Sequence, residues 1–355
     1  MKKLLIPLVL LAAAMVATTI ARRRGETEGP GFGGDQVSSG PIRLRQRPSF
    51  TLGVKRPARK SDQLYVEVSA IGNVDYFYDH KLGMRMAAEV LGVRTEYVGP
   101  AEYDMPAMIS AFELTLAKKN LMGIVVVGFE PALEPSINKA IASGIPVVTV
   151  DADLPRSNRL AFVGTGNVKA GYTGGMKLAE LVGGKGKVAL LTKPGQSNLD
   201  ERIGGYKAAL SQHKNIQLVQ VADTQSNPVV AAQVAATVLQ RHPDLAGLGC
   251  VEAAGGTGAA TAVREAGLMG KVKIVSMDRG NEVLQLIKDN VISATVAQQT
   301  ALMPFYAVRI MHDLVNLNIP ISSDNEAAGV GGAPSYVDTG VILIDKSNCK
   351  YFVRE

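Results

Sequence analysis

GIPVVTVDAD occupies residues 144–153, and KIVSMDRG occupies residues 273–280. Each stretch contains a short apolar run, typical of a buried parallel strand, that ends at an aspartate. Ligands of open parallel sheets lie beyond the carboxyl ends of the strands. Asp151 and Asp278 therefore take matching positions at the ends of two strands, and the residues that follow each strand are where chemistry is expected.

The chain on both sides of these stretches alternates β-rich runs with amphipathic helical runs from Ser61 onward. The predicted strands are 64–71, 93–98, 123–127, 146–150, 161–163, 187–191, 216–221, 247–251 and 272–277. The predicted helices are 78–91, 105–119, 133–142, 168–182, 201–212, 229–240, 257–266 and 282–289. Short connections between alternating strands and helices are typical of parallel sheets covered by helices on both faces. The sequence therefore predicts an α/β fold with two similar halves in tandem.

The composition fits a globular protein with two domains. The chain has 355 residues, of which 46% are hydrophobic and 20% are charged, and a domain usually has roughly 100–200 residues. These fractions exclude a wholly disordered chain and a collagen. Two cysteines, Cys250 and Cys349, are too few for a disulfide framework or a cysteine-rich zinc module; whether they pair is left open. The four histidines have no metal-ligand spacing, so we expect no metal and no cofactor.

The positive charge is concentrated at the N-terminus. The net charge of the chain is +6, but residues 1–60 carry 12 Lys/Arg and three Asp/Glu. The remaining residues carry 26 Lys/Arg and 29 Asp/Glu and are therefore mildly acidic. Because nucleic-acid binding needs clustered Lys/Arg on the folded face, the sequence does not support a nucleic-acid partner.

The N-terminus has the features of an export signal. Lys2 and Lys3 precede an apolar run that ends in small residues near Ala21, so residues 1–21 are predicted to be a signal peptide, or a signal anchor if they are not cleaved. Residues 22–60 are rich in Gly, Pro and Arg without an apolar period and are predicted to be a linker. We therefore expect a periplasmic or other extracytoplasmic location.

Acidic and aromatic side chains are concentrated after the predicted strands. These strand-end residues are Asn73–Tyr78, Gly128–Glu130, Asp151, Asp153, Glu252, and Asp278 with Arg279. Carboxylates accept hydrogen bonds from hydroxyl groups, and aromatic rings pack against apolar sugar faces. The pattern favours a polyhydroxylated small-molecule ligand.

Five further stretches, together with the two quoted above, resemble a known family. They are VGTGNVKAG (163–171), GGKGKVALLT (183–192), ERIGGYKAAL (201–210), ISATVAQQ (292–299) and VDTGVILIDKSN (337–348). From about Leu64 to Val353 the chain resembles the periplasmic sugar-binding proteins of the ribose-binding type, which serve ABC transporters and share a core with LacI-type repressors.

The resemblance implies the type I periplasmic binding protein fold, with two Rossmann-like domains joined by a hinge of three crossovers. The crossovers are expected near Thr165, Gln298 and Asp338. The implied N-terminal domain comprises 61–165 plus 299–338, and the implied C-terminal domain comprises 166–298 plus 339–355.

The resemblance also implies a set of ligand-binding residues. Tyr76 and Phe77 match an aromatic pair that stacks on the sugar ring. The matching polar residues are Asp151, Arg202, Asp278 in SMD, and Gln298 in the ATVAQ stretch. Glu252 stands where relatives commonly have Asn or Asp, and an ionised Glu only accepts hydrogen bonds. We therefore expect Glu252 to select a hydroxyl-rich or amino-bearing sugar; the alternative is a solvated charge at a helix start.

Other positions depart from the family pattern or have ordinary structural explanations. Ala152, Gly128 and Asp75 differ from the usual residues at their positions, and these differences leave the ligand open. Asp153 fits a helix cap or turn as well as a binding role. Arg202 fits an exposed first-turn residue with i,i+4 contacts as the alternative to a ligand contact.

The resemblance implies a monomeric binding protein that is not an enzyme. It would capture a simple sugar or related polyol and deliver it to the membrane permease of an ABC importer. The alternative is a sugar-sensing subunit of a membrane receptor or histidine kinase. Catalytic motifs such as G-x-S-x-G and H-E-x-x-H are absent from the sequence, although pairs of carboxylates leave a glycosidase conceivable. A LacI-type repressor would need an N-terminal helix-turn-helix, and residues 1–60 have no such pattern.

Overall fold

The computed structural model describes residues 59–73, 75–317, 321–325 and 327–353. The predicted signal (1–21) and all but the last two residues of the predicted linker (22–60) lie outside these ranges. The described chain forms two α/β lobes, each built on a six-stranded sheet.

The first lobe contains a sheet in which all paired strands run parallel. Its strands are β1 (Leu64–Val68), β2 (Arg94–Val98), β3 (Leu121–Val127), β4 (Val147–Val150), β5 (Ala161–Gly164) and β11 (Tyr336–Asp338), in the order β11-β5-β4-β3-β1-β2. Its helices are α1 (Tyr78–Leu91), α2 (Met105–Leu116), α3 (Glu134–Ala142) and α9 (Leu302–Asn316). All seven residues of β3 are buried, as expected for a strand covered on both faces.

Helices pack on both faces of this first sheet. Met84 of α1 and Met311 of α9 belong to one buried cluster, and Met108 of α2 and Ile137 of α3 belong to another. Asp104 begins α2 by accepting a hydrogen bond from the backbone N–H of Ala107, which satisfies a donor that the helix leaves unpaired.

The second lobe repeats the plan, with one antiparallel strand at the edge of its sheet. Its strands are β6 (Lys185–Thr192), β7 (Asn215–Asp223), β8 (Leu245–Cys250), β9 (Lys273–Met277), β10 (Ala294–Gln298) and β12 (Val341–Asp345), in the order β12-β10-β9-β8-β6-β7. Its helices are α4 (Asn167–Leu181), α5 (Ser197–Leu210), α6 (Pro228–Arg241), α7 (Ala253–Glu265) and α8 (Asn281–Lys288). Cys250 and Cys349 are buried free thiols in one core cluster.

The chain passes between the two sheets three times. The connections are residues 165–166, 299–301 and 339–340, which agree with the crossovers expected near Thr165, Gln298 and Asp338. The connections are also tied together, because the side-chain amide of Gln299 donates to the carbonyl of Thr339 at 2.5 Å. The type I periplasmic binding protein fold is therefore confirmed.

Several predicted helices begin earlier in the structure than in the sequence pattern. Helix α5 begins at Ser197 rather than 201, and α7 begins at Ala253 rather than 257. Gly255 and Gly256 lie in the first turn of α7 and lower its helix propensity, which hides the start from a pattern search. Capping by Glu252 defines that start in the structure.

Candidate functional site

Asp151 and Asp278 share an unusual backbone conformation. Asp151 follows β4 with φ 62°, and Asp278 follows β9 with φ 65°; both lie in the left-handed region that non-glycine residues seldom adopt. The backbone N–H of each donates to the neighbouring strand, to Val163 and to Val296 respectively. Such conformations cost free energy and concentrate at functional sites. The two lobes thus hold one carboxylate each in the same way.

Tyr76 joins Asp151 in the first lobe. Its hydroxyl donates to Oδ1 of Asp151 at 2.6 Å, and both side chains keep part of their surface exposed. Burial raises the pKa of Tyr76 well above its usual value, and the charges of Asp151 and Asp278 raise it further, while Arg202 lowers it. Because Asp278 and Arg202 belong to the second lobe, charges from both lobes act on Tyr76.

Arg202 is the centre of a buried network in the second lobe. Only 5% of its surface is exposed. Its Nε donates to Oδ1 of Asn167 at 3.0 Å, Nη1 to the carbonyl of Val251 at 3.0 Å, and Nη2 to Oε1 of Gln298 at 3.1 Å. The exposed first-turn alternative for Arg202 is therefore wrong, because the side chain is directed inward from α5.

Gln298 extends this network to the aspartate. Its Nε2 donates to Oδ1 of Asp278 at 3.0 Å, and its Oε1 also accepts from the hydroxyl of Thr165 at 2.9 Å. Gln298 ends β10 and Thr165 lies in the first connection between the sheets. The network therefore links the second-lobe carboxylate to the hinge.

Close packing of two helices positions Arg202. Helices α4 and α5 approach through glycines, so that a Cβ on Gly171 would lie 1.9 Å from the carbonyl oxygen of Arg202. A Cβ on Gly205 would lie 2.1 Å from the carbonyl oxygen of Val168. Only glycine permits backbones this close, and the approach brings Arg202 within reach of Asn167 at the start of α4.

Phe77 lies in a different environment from Tyr76. It is 5% exposed and belongs to the core of the first lobe. Its ring makes edge contacts with Tyr76 at 5.2 Å, His80 at 5.0 Å and Phe129 at 6.1 Å between centroids. Phe77 therefore packs between Tyr76 and the core of the first lobe. Its stacking on a sugar ring stays a prediction.

Glu252 caps helix α7. Its Oε1 accepts from the hydroxyl of Thr224 at 2.8 Å, and its Oε2 accepts from the backbone N–H of Ala254 at 2.9 Å. Burial raises the pKa of Glu252, the hydrogen bonds oppose this, and the charge of Asp278 raises it further. Glu252 therefore lies near the site with both oxygens in use, and its part in ligand choice stays a prediction.

Asp153 stabilises the turn after β4. It accepts from Thr149 and from the backbone of Leu154, and it forms an ion pair with Arg159. This is the structural role that the sequence left as one of two alternatives.

Sequence reasoning named Thr165 only as a crossover and did not single out Asn167. Both lie within VGTGNVKAG, and both bond to the Arg202 and Gln298 network. Their presence in a quoted stretch was the available signal. The partner of Thr165 is 133 residues away along the chain, and the partner of Asn167 is 35 residues away.

Metal clusters and membrane-spanning helices are not found among the residues that the structure describes. Across the described ranges, His, Cys, Asp and Glu side chains form no group that could hold a metal ion. None of the helices that the structure describes has the length and hydropathy needed to cross a membrane.

The chain is similar to sugar-binding proteins of known sequence and structure. A family model described as "Periplasmic binding protein domain" matches residues 65–318. The D-allose-binding periplasmic protein of Escherichia coli is 29% identical over 67% of this chain and 80% of its own length. The arabinose-binding protein AraP of Geobacillus stearothermophilus superimposes with a TM-score of 0.78 and 34% identity, covering 82% of this chain and all of that one.

A further solved structure places a similar protein in an assembly. The chain is similar to a protein in the "XylFII-LytSN complex", with a TM-score of 0.64 and 30% identity, covering 81% of this chain and 98% of that one. The fold, the paired strand-end aspartates and these matches agree with one another. The chain therefore belongs to the periplasmic binding protein family, as a member of its ribose-binding type.

Proposed function

We propose that this protein captures a simple sugar or related polyol between its lobes and delivers it to the permease of an ABC importer. The observation that carries the proposal is the pair of strand-end carboxylates, one in each lobe, each held in place by side-chain hydrogen bonds. Asp151 accepts from Tyr76 in the first lobe, and Asp278 accepts from Gln298, which Arg202 also contacts, in the second. The names of the relatives, which bind allose and arabinose, support the same ligand class.

The chemistry of the site suits hydroxyl groups. The carboxylates of Asp151 and Asp278 supply hydrogen-bond acceptors, and a sugar hydroxyl donates and accepts in turn. The ring of Tyr76 offers an apolar surface, and the network of Arg202 and Gln298 fixes the orientation of Asp278 before a ligand arrives. Groups that are fixed in advance lose less entropy on binding.

The remaining parts of the proposal concern activity, location and domains. Relatives that are binding proteins support a protein without catalytic activity. Membership of a periplasmic family supports an extracytoplasmic location, with export by residues 1–21 as the proposed route. We also propose the domain limits 61–165 plus 299–338 and 166–298 plus 339–355.

A thermal-shift screen of sugars, polyols and aminosugars tests the ligand class. For a Kd on the order of 1 μM, 100 μM ligand should add roughly 2.7 kcal/mol to the free energy of unfolding. The same shift should appear in Asp244→Asn, a control that removes an exposed carboxylate paired with Lys187 at the opposite end of β8 from Glu252. A complete panel without any shift would contradict the proposal, and turnover of a glycoside would contradict the non-enzymatic part.

Sensing is the second candidate function. The observation that favours it is the similarity to XylFII in its complex with LytSN. Adjacent genes for a permease and an ATPase would support import, whereas an adjacent histidine kinase gene would support sensing. Growth of a deletion strain on the identified sugar then separates them, since loss of import slows growth at limiting sugar concentration.

A further inference from the structure

A partly buried ion pair joins the two lobes beside the site. Nη2 of Arg279 lies 2.5 Å from Oδ2 of Asp79. Asp79 lies in the first turn of α1 in the first lobe, and Arg279 lies between β9 and α8 in the second lobe. The contact therefore connects elements that share no sheet.

Both members of the pair have additional anchors. The hydroxyl of Thr300 donates to the same Oδ2 of Asp79 at 2.6 Å, and Thr300 lies in the 299–301 connection between the sheets. Nη1 of Arg279 donates to the carbonyl of Phe352 at 3.3 Å. Asp79 is thus tied both to the opposite lobe and to the hinge.

Burial distinguishes this pair from the other ion pair between the lobes in the described residues. The side chains of Asp79 and Arg279 are 7% and 23% exposed. Lys169 and Asp338 also span the lobes, but they are 4.0 Å apart and Lys169 is 71% exposed. Exposed pairs contribute little, whereas removal of one partner from a buried pair leaves an uncompensated charge.

Each member of the pair lies close in sequence to a site residue. Arg279 follows Asp278, and Asp79 lies three residues after Tyr76, across the start of α1. A shift of either member moves a site residue with it. The contact therefore fixes the two halves of the site against each other.

We propose that Asp79 and Arg279 are positioning residues that hold the lobes in the ligand-binding arrangement before the ligand arrives. This inference rests on the proposed function. The pair acts through Tyr76 and Asp278 and raises the fraction of ligand-free molecules whose site is assembled. Apparent affinity scales with that fraction, so a fall from about half to about one-twentieth would weaken binding about tenfold.

Scattering from the ligand-free full-length chain tests the inference without any ligand. Asp79→Asn keeps an acceptor for Thr300 but removes the charge, and Arg279→Gln removes the partner charge. Both should increase the radius of gyration, because the lobes separate more often. Lys169→Gln, at the exposed pair, is the matched control and should scatter like the wild type. Arg279→Lys retains the charge and should restore part of the compact form.

Calorimetry with D-allose as the probe provides the second readout. Asp79→Asn and Arg279→Gln should bind at least about fivefold more weakly, as expected for a smaller competent fraction, with the D-allose-bound forms scattering like the wild type. Failure of D-allose to bind the wild type would bear on the proposed ligand and leave the scattering comparison to decide. Ligand-free scattering equal to wild type in both variants, or lower melting temperatures with compact scattering unchanged, would overturn the inference.

Discussion

Replacement of Gly171 by alanine tests whether the contact between α4 and α5 positions Arg202. A Cβ at Gly171 would lie 1.9 Å from the carbonyl oxygen of Arg202, whereas real Cβ contacts essentially never fall below 3.0 Å. Helix α5 must therefore retreat by about 1 Å. A retreat of this size stretches the Arg202 hydrogen bonds, now 3.0–3.1 Å, towards 4 Å, beyond hydrogen-bond distance.

The cost follows from these distances. Overpacking of a filled contact costs about 1–3 kcal/mol, which is partly offset by the roughly 1 kcal/mol by which alanine exceeds glycine in a helix. We expect Gly171→Ala to lower the free energy of unfolding by up to about 2 kcal/mol. Loss of one charge-assisted bond, about 1.5–3 kcal/mol, would weaken sugar binding by roughly tenfold or more.

Gly204→Ala is the matched control. Gly204 lies on α5 beside Gly205, and a Cβ there meets no atom within 4 Å. This variant should gain about 0.5–1 kcal/mol from helix propensity and bind normally. Urea unfolding and calorimetry of both variants provide the comparison. Equal stability and equal affinity of the two would refute the packing argument.

Three further predictions concern single side chains. Arg202→Lys keeps the charge but cannot make the three contacts of a guanidinium, so we expect affinity to fall at least about tenfold in calorimetry; unchanged affinity would contradict a binding role for Arg202. Burial lowers the pKa of His80, but the charge and hydrogen bond of Glu67 outweigh it and raise the pKa overall. The stabilisation that this pair gives the folded state should be complete below the unfolded pKa near 6.5 and fade as pH rises through the folded pKa. The melting temperature should fall over that range in the wild type and not in His80→Gln; an equal fall in the variant would contradict a role for the pair. Glu252→Gln retains one cap acceptor and should lower the free energy of unfolding by about 1 kcal/mol or less. A changed affinity ranking of sugars in this variant would support a role of Glu252 in ligand choice, and an unchanged ranking would leave it as a helix cap.

The sequence predicted most of the fold because its signals are local. Strand β3 is a continuous apolar run, and Asp104 provides a helix cap within three residues of its partner. The positions of Asp151 and Asp278 followed from the same logic, since the carboxyl end of a parallel strand can be located from the strand alone.

Contacts between distant segments could not be predicted from the sequence. The partner of Arg279 is 200 residues away along the chain, and their meeting depends on how the two lobes are oriented. The inward direction of Arg202 depends on the glycine contact between α4 and α5. Phe77 illustrates the same limit, because it is buried in the core while the adjacent Tyr76 is only partly buried, and nothing local distinguishes the two rings.

Calorimetry of matched carboxylate variants tests the central claim, that one ligand is held by both lobes. Asn tolerates the left-handed conformation as Asp does, so Asp151→Asn and Asp278→Asn remove a charge without disturbing the backbone. With the sugar that gives the largest thermal shift, we predict one-to-one binding by the wild type. Each variant should bind at least about tenfold more weakly, the loss expected for a charge-assisted hydrogen bond. An affinity that falls in one variant and stays at the wild-type value in the other would contradict binding between the lobes.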